Sequence, residues 1–323
     1  MKSELVGPVR SVRTERARWD VSTEAWRRPM RIATEEFRPD GKLAAAESHW
    51  NGKLMSRCAY AYDDTGLLLE TKHSQEDGTS ARTVHEYEGG RLARTVHYDP
   101  SGSHSMSQER TYAADGSYKS TVQFPKELGG SDIYCPVGGL DFSFSAPGVA
   151  SMTTSYDCED RPSEVLFQTA DGKPVRRLVL QHDEAGRLLK VELLLCEEPL
   201  FPDVPQFGPG AALATFEYKY DDAGRQVEMV RGMFGMDEQR EQYRYDDRGN
   251  RVEIDSQQDR SGARIVDSVP ERDQPQIHRW QTRVDHQYDD HGNWTERLTL
   301  HRQNANPDFT PVSIERRQIT YHL

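Results

Sequence analysis

The chain has 323 residues, 35% of them apolar, and a mean hydropathy of -0.84; it is too polar for a thick two-layer core, yet its regular aromatic spacing argues against disorder. A net charge of -12 with a pI near 5.4 would on balance repel phosphate backbones and anionic membranes, so nucleic acid is not an expected partner. No run of about 18 apolar residues and no apolar leader after Met1 occurs, so the expectation is no membrane insertion and a cytoplasmic location as written, or periplasmic or surface if a signal peptide has been removed.

In chain order, residues 5–19 and 30–37 read as the first strands, with Pro39-Asp40-Gly41-Lys42 as a turn. Turn glycines then fall at Gly52, Gly66, Gly78, Gly90, Gly102 and Gly116, at intervals of 14, 12, 12, 12 and 14. That spacing suits strands of about eight to ten residues in an up-and-down meander. Residues 1–124 thus form an N-terminal β-meander. Residues 125–150, rich in glycine and proline around Leu140–Phe144, break the rhythm as a loop and mark an internal boundary. A C-terminal meander, continuous with the first, fills 151–323. Within it Leu188–Leu195 is apolar on both faces, which predicts a strand covered on both sides. Glu197–Gly210 and Pro270–Gln276 are further insertions.

One unit recurs through these hairpins. Tyr243-Arg-Tyr-Asp-Asp-Arg-Gly-Asn250 has close copies at Tyr60–Gly66, Tyr218–Gly224 and His286–Asn293, and degenerate ones at Tyr156–Arg161 and His182–Arg187. Tyr-x-Tyr puts two aromatics on one face of a strand. The first Asp can bond turn amides, and the Gly supplies the positive φ of a type I turn followed by a bulge. The unit resembles the YD repeat of bacterial Rhs (rearrangement hotspot) proteins. The opening Gly7–Val12 and the stretches Tyr288–Arg297 and Arg316–Tyr321 are similar to small solitary members of that kind. The resemblance implies long antiparallel sheets that spiral into shells, and a setting of secreted toxins or surface interaction. It also implies a protein partner, either a toxin or a secretion component. The expected fold is all-β, an antiparallel meander of about 18 to 20 strands whose twist curls it into a half-shell, a partly closed barrel or two packed sheets.

Catalytic signatures are missing: the chain has no G-x-S-x-G, H-E-x-x-H, P-loop or dinucleotide fingerprint. Turn position already explains the aspartate pairs at 63/64, 221/222, 246/247 and 289/290. His73, His85 and His97 each precede a turn glycine by five residues, which places His85 at the other end of the sheet from the other two, so they read as exposed or cross-strand histidines. Cys58, Cys135, Cys158 and Cys196 have no zinc spacing and read as free thiols. No metal or cofactor is expected. The favoured function is non-catalytic binding or scaffolding, as an immunity-type or accessory protein. The alternative is a carbohydrate-active enzyme or carbohydrate-binding protein with its site in the insertions at 125–150 and 197–210. Loops on a rigid scaffold concentrate binding residues. Tyr134, Phe142, Phe144, Phe201 and Phe207 are therefore the candidate contacts, and the two insertions are expected to meet on one side of the sheet.

Overall fold

The computed structural model describes residues 5–124, 132–137, 140–145, 148–196, 209–233, 237–259, 277–303 and 306–322. Its strands, in chain order, begin with β1 (Val9–Asp20), β2 (Ala25–Trp26), β3 (Met30–Phe37), β4 (Leu43–Trp50), β5 (Lys53–Tyr62) and β6 (Leu68–Gln75). Next come β7 (Ser80–Glu88), β8 (Arg91–Tyr98), β9 (His104–Tyr112), β10 (Tyr118–Gln123), β11 (Asp132–Val137) and β12 (Leu140–Ser145). The chain continues through β13 (Val149–Tyr156), β14 (Pro162–Thr169), β15 (Pro174–His182), β16 (Leu188–Leu195), β17 (Ala212–Tyr220) and β18 (Gln226–Met233). It ends with β19 (Asp237–Tyr245), β20 (Arg251–Asp259), β21 (Ile277–Tyr288), β22 (Trp294–Gln303) and β23 (Thr310–Tyr321). No helix occurs among the described residues.

The sheet closes on itself, where the sequence predicts a half-shell or partly closed barrel. β1 pairs antiparallel with β3 on one side and with β23 on the other, the latter from Val9↔Tyr321 to Arg18↔Ser313. Every other ring strand pairs with its chain neighbours, β10 going directly to β13, which gives a closed antiparallel barrel of 20 strands. β2 adds only two pairs to the end of β1. Twenty strands spaced ~4.8 Å apart and tilted by roughly 36° give a barrel about 38 Å across, too wide for wall side chains alone to fill. The accessible surface, 20269 Å², exceeds the roughly 13,600 Å² of a compact protein of this mass.

Closure overturns two expectations. No membrane insertion follows from lacking a long apolar run, but that criterion concerns helices. A closed antiparallel barrel with an even number of strands is the β architecture that satisfies its own backbone within a bilayer and that outer-membrane proteins use. The exclusion of membrane insertion therefore falls, and the cytoplasmic location, with its periplasmic or surface variant, falls with it.

The two rims differ. One carries most of the Asp turns, which join β5 to β6, β13 to β14, β15 to β16, β17 to β18, β19 to β20 and β21 to β22, together with the start of β1 and the end of β23; the Asp99 turn, between β8 and β9, lies at the other. The other rim carries the connections from β10 to β13, β16 to β17 and β20 to β21, so all three long insertions leave from the same end. The stretch 125–150, expected as a loop, contains the antiparallel hairpin β11–β12, which stands as a separate two-stranded sheet.

In the turns, the backbone does what the repeat predicts. Asp63 N donates to Leu67 O and Gly66 N to Asp63 O, while Asp63 Oδ1 accepts from the amides of Thr65 and Leu67. Gly66, Gly224, Gly249 and Gly292 have φ of 87°, 77°, 83° and 88°. An added Cβ at Gly249 would meet nothing within 4 Å, so a substitution there isolates backbone strain. Gly249→Val is expected to cost more than about 1–2 kcal/mol, the penalty of left-handed backbone for a residue with a Cβ. An unchanged melting temperature would count against the turn assignment.

Candidate functional site

Pairing register decides which way each side chain points. From Ser155 through Glu164, Val179, Glu192, Thr215, Gly232 and Glu238, the paired row lies one residue further from the Asp-turn rim at each strand. Barrel strands tilt with one hand only. That hand, this stagger and L-chirality at Cα put the row's side chains on the outside. Exposure agrees, because a convex face is the open one: Arg177, Glu217, Lys219 and Arg240 are exposed, whereas Leu178, Leu180, Tyr218 and Tyr243, on the opposite face, are buried.

The outer wall is densely charged. Its ions pair across strands, as Arg177 with Glu164, Lys219 with Glu228 (2.7 Å) and Arg316 with Glu296 (2.8 Å). A charge against lipid at mid-depth costs about 2–4 kcal/mol, so whatever surrounds this wall has to solvate or pair these groups.

The lumen wall divides into three sectors. Across β13–β17 it is apolar: Val165, Phe167, Leu178 and Val191 have 0% exposure, and Leu193, Leu195 and Leu213 join the cluster. β16, expected to be covered on both sides, buries only this face; Leu189 remains 39% exposed. Next to the seam the lumen is ionic. Glu315, 5% exposed, receives Arg297 at 2.5 Å and also Arg16, while Arg297 and Arg317 lie 4.9 and 3.5 Å from the Trp294 ring. In β6–β8 the lumen presents histidines. His97 Nδ1 bonds Thr83 Oγ1 at 2.9 Å, and His85 Nδ1 lies 3.3 Å from Thr95 Oγ1.

These histidines are cross-strand, but their placement corrects the sequence reading. His85 sits beside His97 on adjacent strands, not at the far end of the sheet, because strands this short leave little separation. Burial, and for His85 also the neighbouring His97, pushes both below the usual histidine range. The unfolded chain then binds more protons than the folded one as pH falls below about 6.5. Stability is expected to drop from that point downwards, measured as a falling urea midpoint. The double variant His85→Gln/His97→Gln should flatten the slope; an equal slope in wild type and variant would contradict it.

The Asp-turn rim is a ladder. Tyr220 Oη donates to Leu188 O (2.8 Å), Tyr245 Oη to Gln226 O (2.6 Å) and Tyr288 Oη to Asp246 Oδ2 (2.6 Å), each reaching the preceding Asp-turn hairpin. Arg187 and Arg225 lie over Tyr220 and Tyr245 at 5.0 Å while bonding the aspartates of their own turns. The backbone amide of Arg225 and, against an opposing effect of burial, its guanidinium hold the Asp221 carboxyl below the usual range. At the seam Asn293 bonds both N and O of Val6, and His322 N donates to Pro8 O. Asp, Tyr, Arg and Gly thus have construction roles at this rim.

The candidate contacts are only partly placed. Tyr134 lies on β11, and Phe142 and Phe144 on β12, in register opposite Ser143, Cys135 and Ile133. Phe201 and Phe207 lie outside the described residues. The insertions bearing them leave one rim four strands apart. No disulfide joins Cys58, Cys158 and Cys196, and no group of three or more metal-ligating side chains occurs among the described residues. The lumen wall is the surface that sequence reasoning missed. Its signal, apolar and aromatic residues alternating with charges, is visible in β15 and β17.

No family model and no curated protein matches the chain. Among solved structures it is similar to a porin-like protein from Bacteroides uniformis, with 9% identity, 98% of each chain covered and a TM-score of 0.37. A porin-like protein from Bacteroides vulgatus gives 10% identity and a TM-score of 0.29, over 97% of this chain and 98% of that one. The Photorhabdus luminescens Tc holotoxin pore gives 12% identity and 0.27, over 93% of this chain but only 18% of the other. Likenesses this distant carry no argument about function.

Proposed function

We propose that the chain is a non-catalytic binding or scaffold barrel of YD-repeat type, a short relative of the Rhs shells. In this reading its lumen takes in a segment of a protein partner, a toxin or a secretion component. The sorting of the two faces supports it. The outer wall is charged throughout, while the lumen sets an apolar sector and a histidine sector beside the ionic one, around a bore of about 28 Å once wall side chains are allowed for. Such a bore admits an extended segment or one or two helices, each about 10–12 Å wide. Where carboxylates gather on the described wall, as Glu253 and Asp255 do, a single guanidinium, that of Arg244, pairs with both.

Adjacent residues on opposite faces give the test. A photo-crosslinking amino acid at Thr282, in the lumen, is expected to capture partner polypeptide in cells of the source organism, and the same group at Arg283, outside, is not. Capture at Arg283 alone, or at neither site, would count against the proposal.

A further inference from the structure

Exposed apolar side chains are not spread evenly over the barrel. Of the twelve large ones among the described residues, nine lie at the insertion rim, and six of those fall between residues 21 and 55: Val21 (72% exposed), Trp26, Met30, Trp50 (59%), Leu54 and Met55. The β1–β2 hairpin carries Trp19 and Trp26 edge to face, ring centroids 5.2 Å apart, and Trp50 ends β4 nearby.

Arginines surround these rings. Between residues 16 and 31 stand five arginines against Asp20 and Glu24, in a chain whose net charge is -12. Arg18 lies 5.9 Å over the Trp50 ring, and a cavity of about 180 Å³ is lined by Arg16, Arg18, Arg27, Arg28, Met30 and Trp50. Asp20 takes Arg27, and Glu315 takes Arg16. Arg18 and Arg28 are exposed and have no carboxylate partner among the described residues.

We infer that this sector of the insertion rim is a foot that seats the barrel end-on against anionic lipid headgroups, tryptophans at headgroup level and arginines on the phosphates. Tryptophan beside arginine is the composition of a membrane interface, where an amphipathic ring and a cation are both satisfied. A folded protein partner would be met by one contiguous apolar patch. Here the apolar residues are strung along both lips of the rim, Trp26 outside and Trp50 on the lumen side, as a planar surface requires. Charge fixes the orientation, since the acidic body is repelled while the basic foot is attracted. The inference is independent of what occupies the lumen.

Co-sedimentation of the full chain with phosphatidylcholine vesicles, with and without phosphatidylglycerol, tests it. Binding is expected only when phosphatidylglycerol is present, with a blue shift of tryptophan emission and weakening at high salt. Arg18→Glu/Arg28→Glu should reduce binding roughly thirtyfold or more at the usual contribution per basic residue, and Trp26→Ser/Trp50→Ser should remove the blue shift. A wall control of equal charge change, Lys72→Glu/Lys119→Glu, should bind within about threefold of wild type, and circular dichroism checks that each variant is folded. No binding by the wild type, equal binding to neutral vesicles, or equal loss in rim and wall variants would each overturn the inference.

Discussion

Truncating Phe167 to alanine is expected to destabilise the barrel by about 3–5 kcal/mol, the range for an aromatic removed from a packed interior. Phe167 has 0% exposure and lies in the lumen-side cluster with Val165, Leu178 and Val191. Leu189→Ala, on the outer face of the same sheet at 39% exposure, should cost under about 1 kcal/mol. Urea midpoints of the two variants decide the matter. Equal costs would mean that the apolar face is not an interior face.

The second large effect is expected at the seam. Glu315 is 5% exposed and receives two guanidinium groups, so Glu315→Ala leaves Arg16 of β1 and Arg297 of β22 facing each other across β23 with no carboxylate between them. Removing one partner from a buried ionic group costs about 3–5 kcal/mol. Both arginines are 38% exposed and remain partly solvated, which lowers the expectation to about 2–4 kcal/mol. Glu164→Ala, which breaks a more exposed outer pair with Arg177, should cost under about 1 kcal/mol. Since β1 and β23 hold the ring shut, the Glu315 variant should also become more open to proteolysis near both termini.

The local half of the fold is legible in the sequence because its signals are local. Gly66, Gly224, Gly249 and Gly292 announce turns that need positive φ, and the alternation in β15 announces two unlike faces. Closure is not local. It depends on Val9–Arg18 pairing with Ser313–Tyr321, strands about 300 residues apart with no shared motif, and a meander leaves its first and last edges unassigned. The direction of each face is equally silent in the sequence, since alternation gives two faces and only the barrel's hand says which is the lumen. The histidines show a related limit: counting turns places His85 and His97 at opposite ends, yet adjacency across β7 and β8 brings them together. The insertion rim could be derived by parity, because an even number of strands separates the connections that leave it.

Closure itself is tested most directly by a covalent bond across the seam. Ser11 and Thr320 are paired on β1 and β23, with their hydroxyl oxygens 2.7 Å apart. In a background with the four native cysteines replaced by serine, Ser11→Cys/Thr320→Cys is expected to form an intramolecular disulfide on mild oxidation of the folded protein. The bond ties the two ends of the chain into one loop and gives a band that migrates faster on a denaturing gel until it is reduced. A folded protein that forms no such bond, or forms it only between molecules, would contradict the closed barrel.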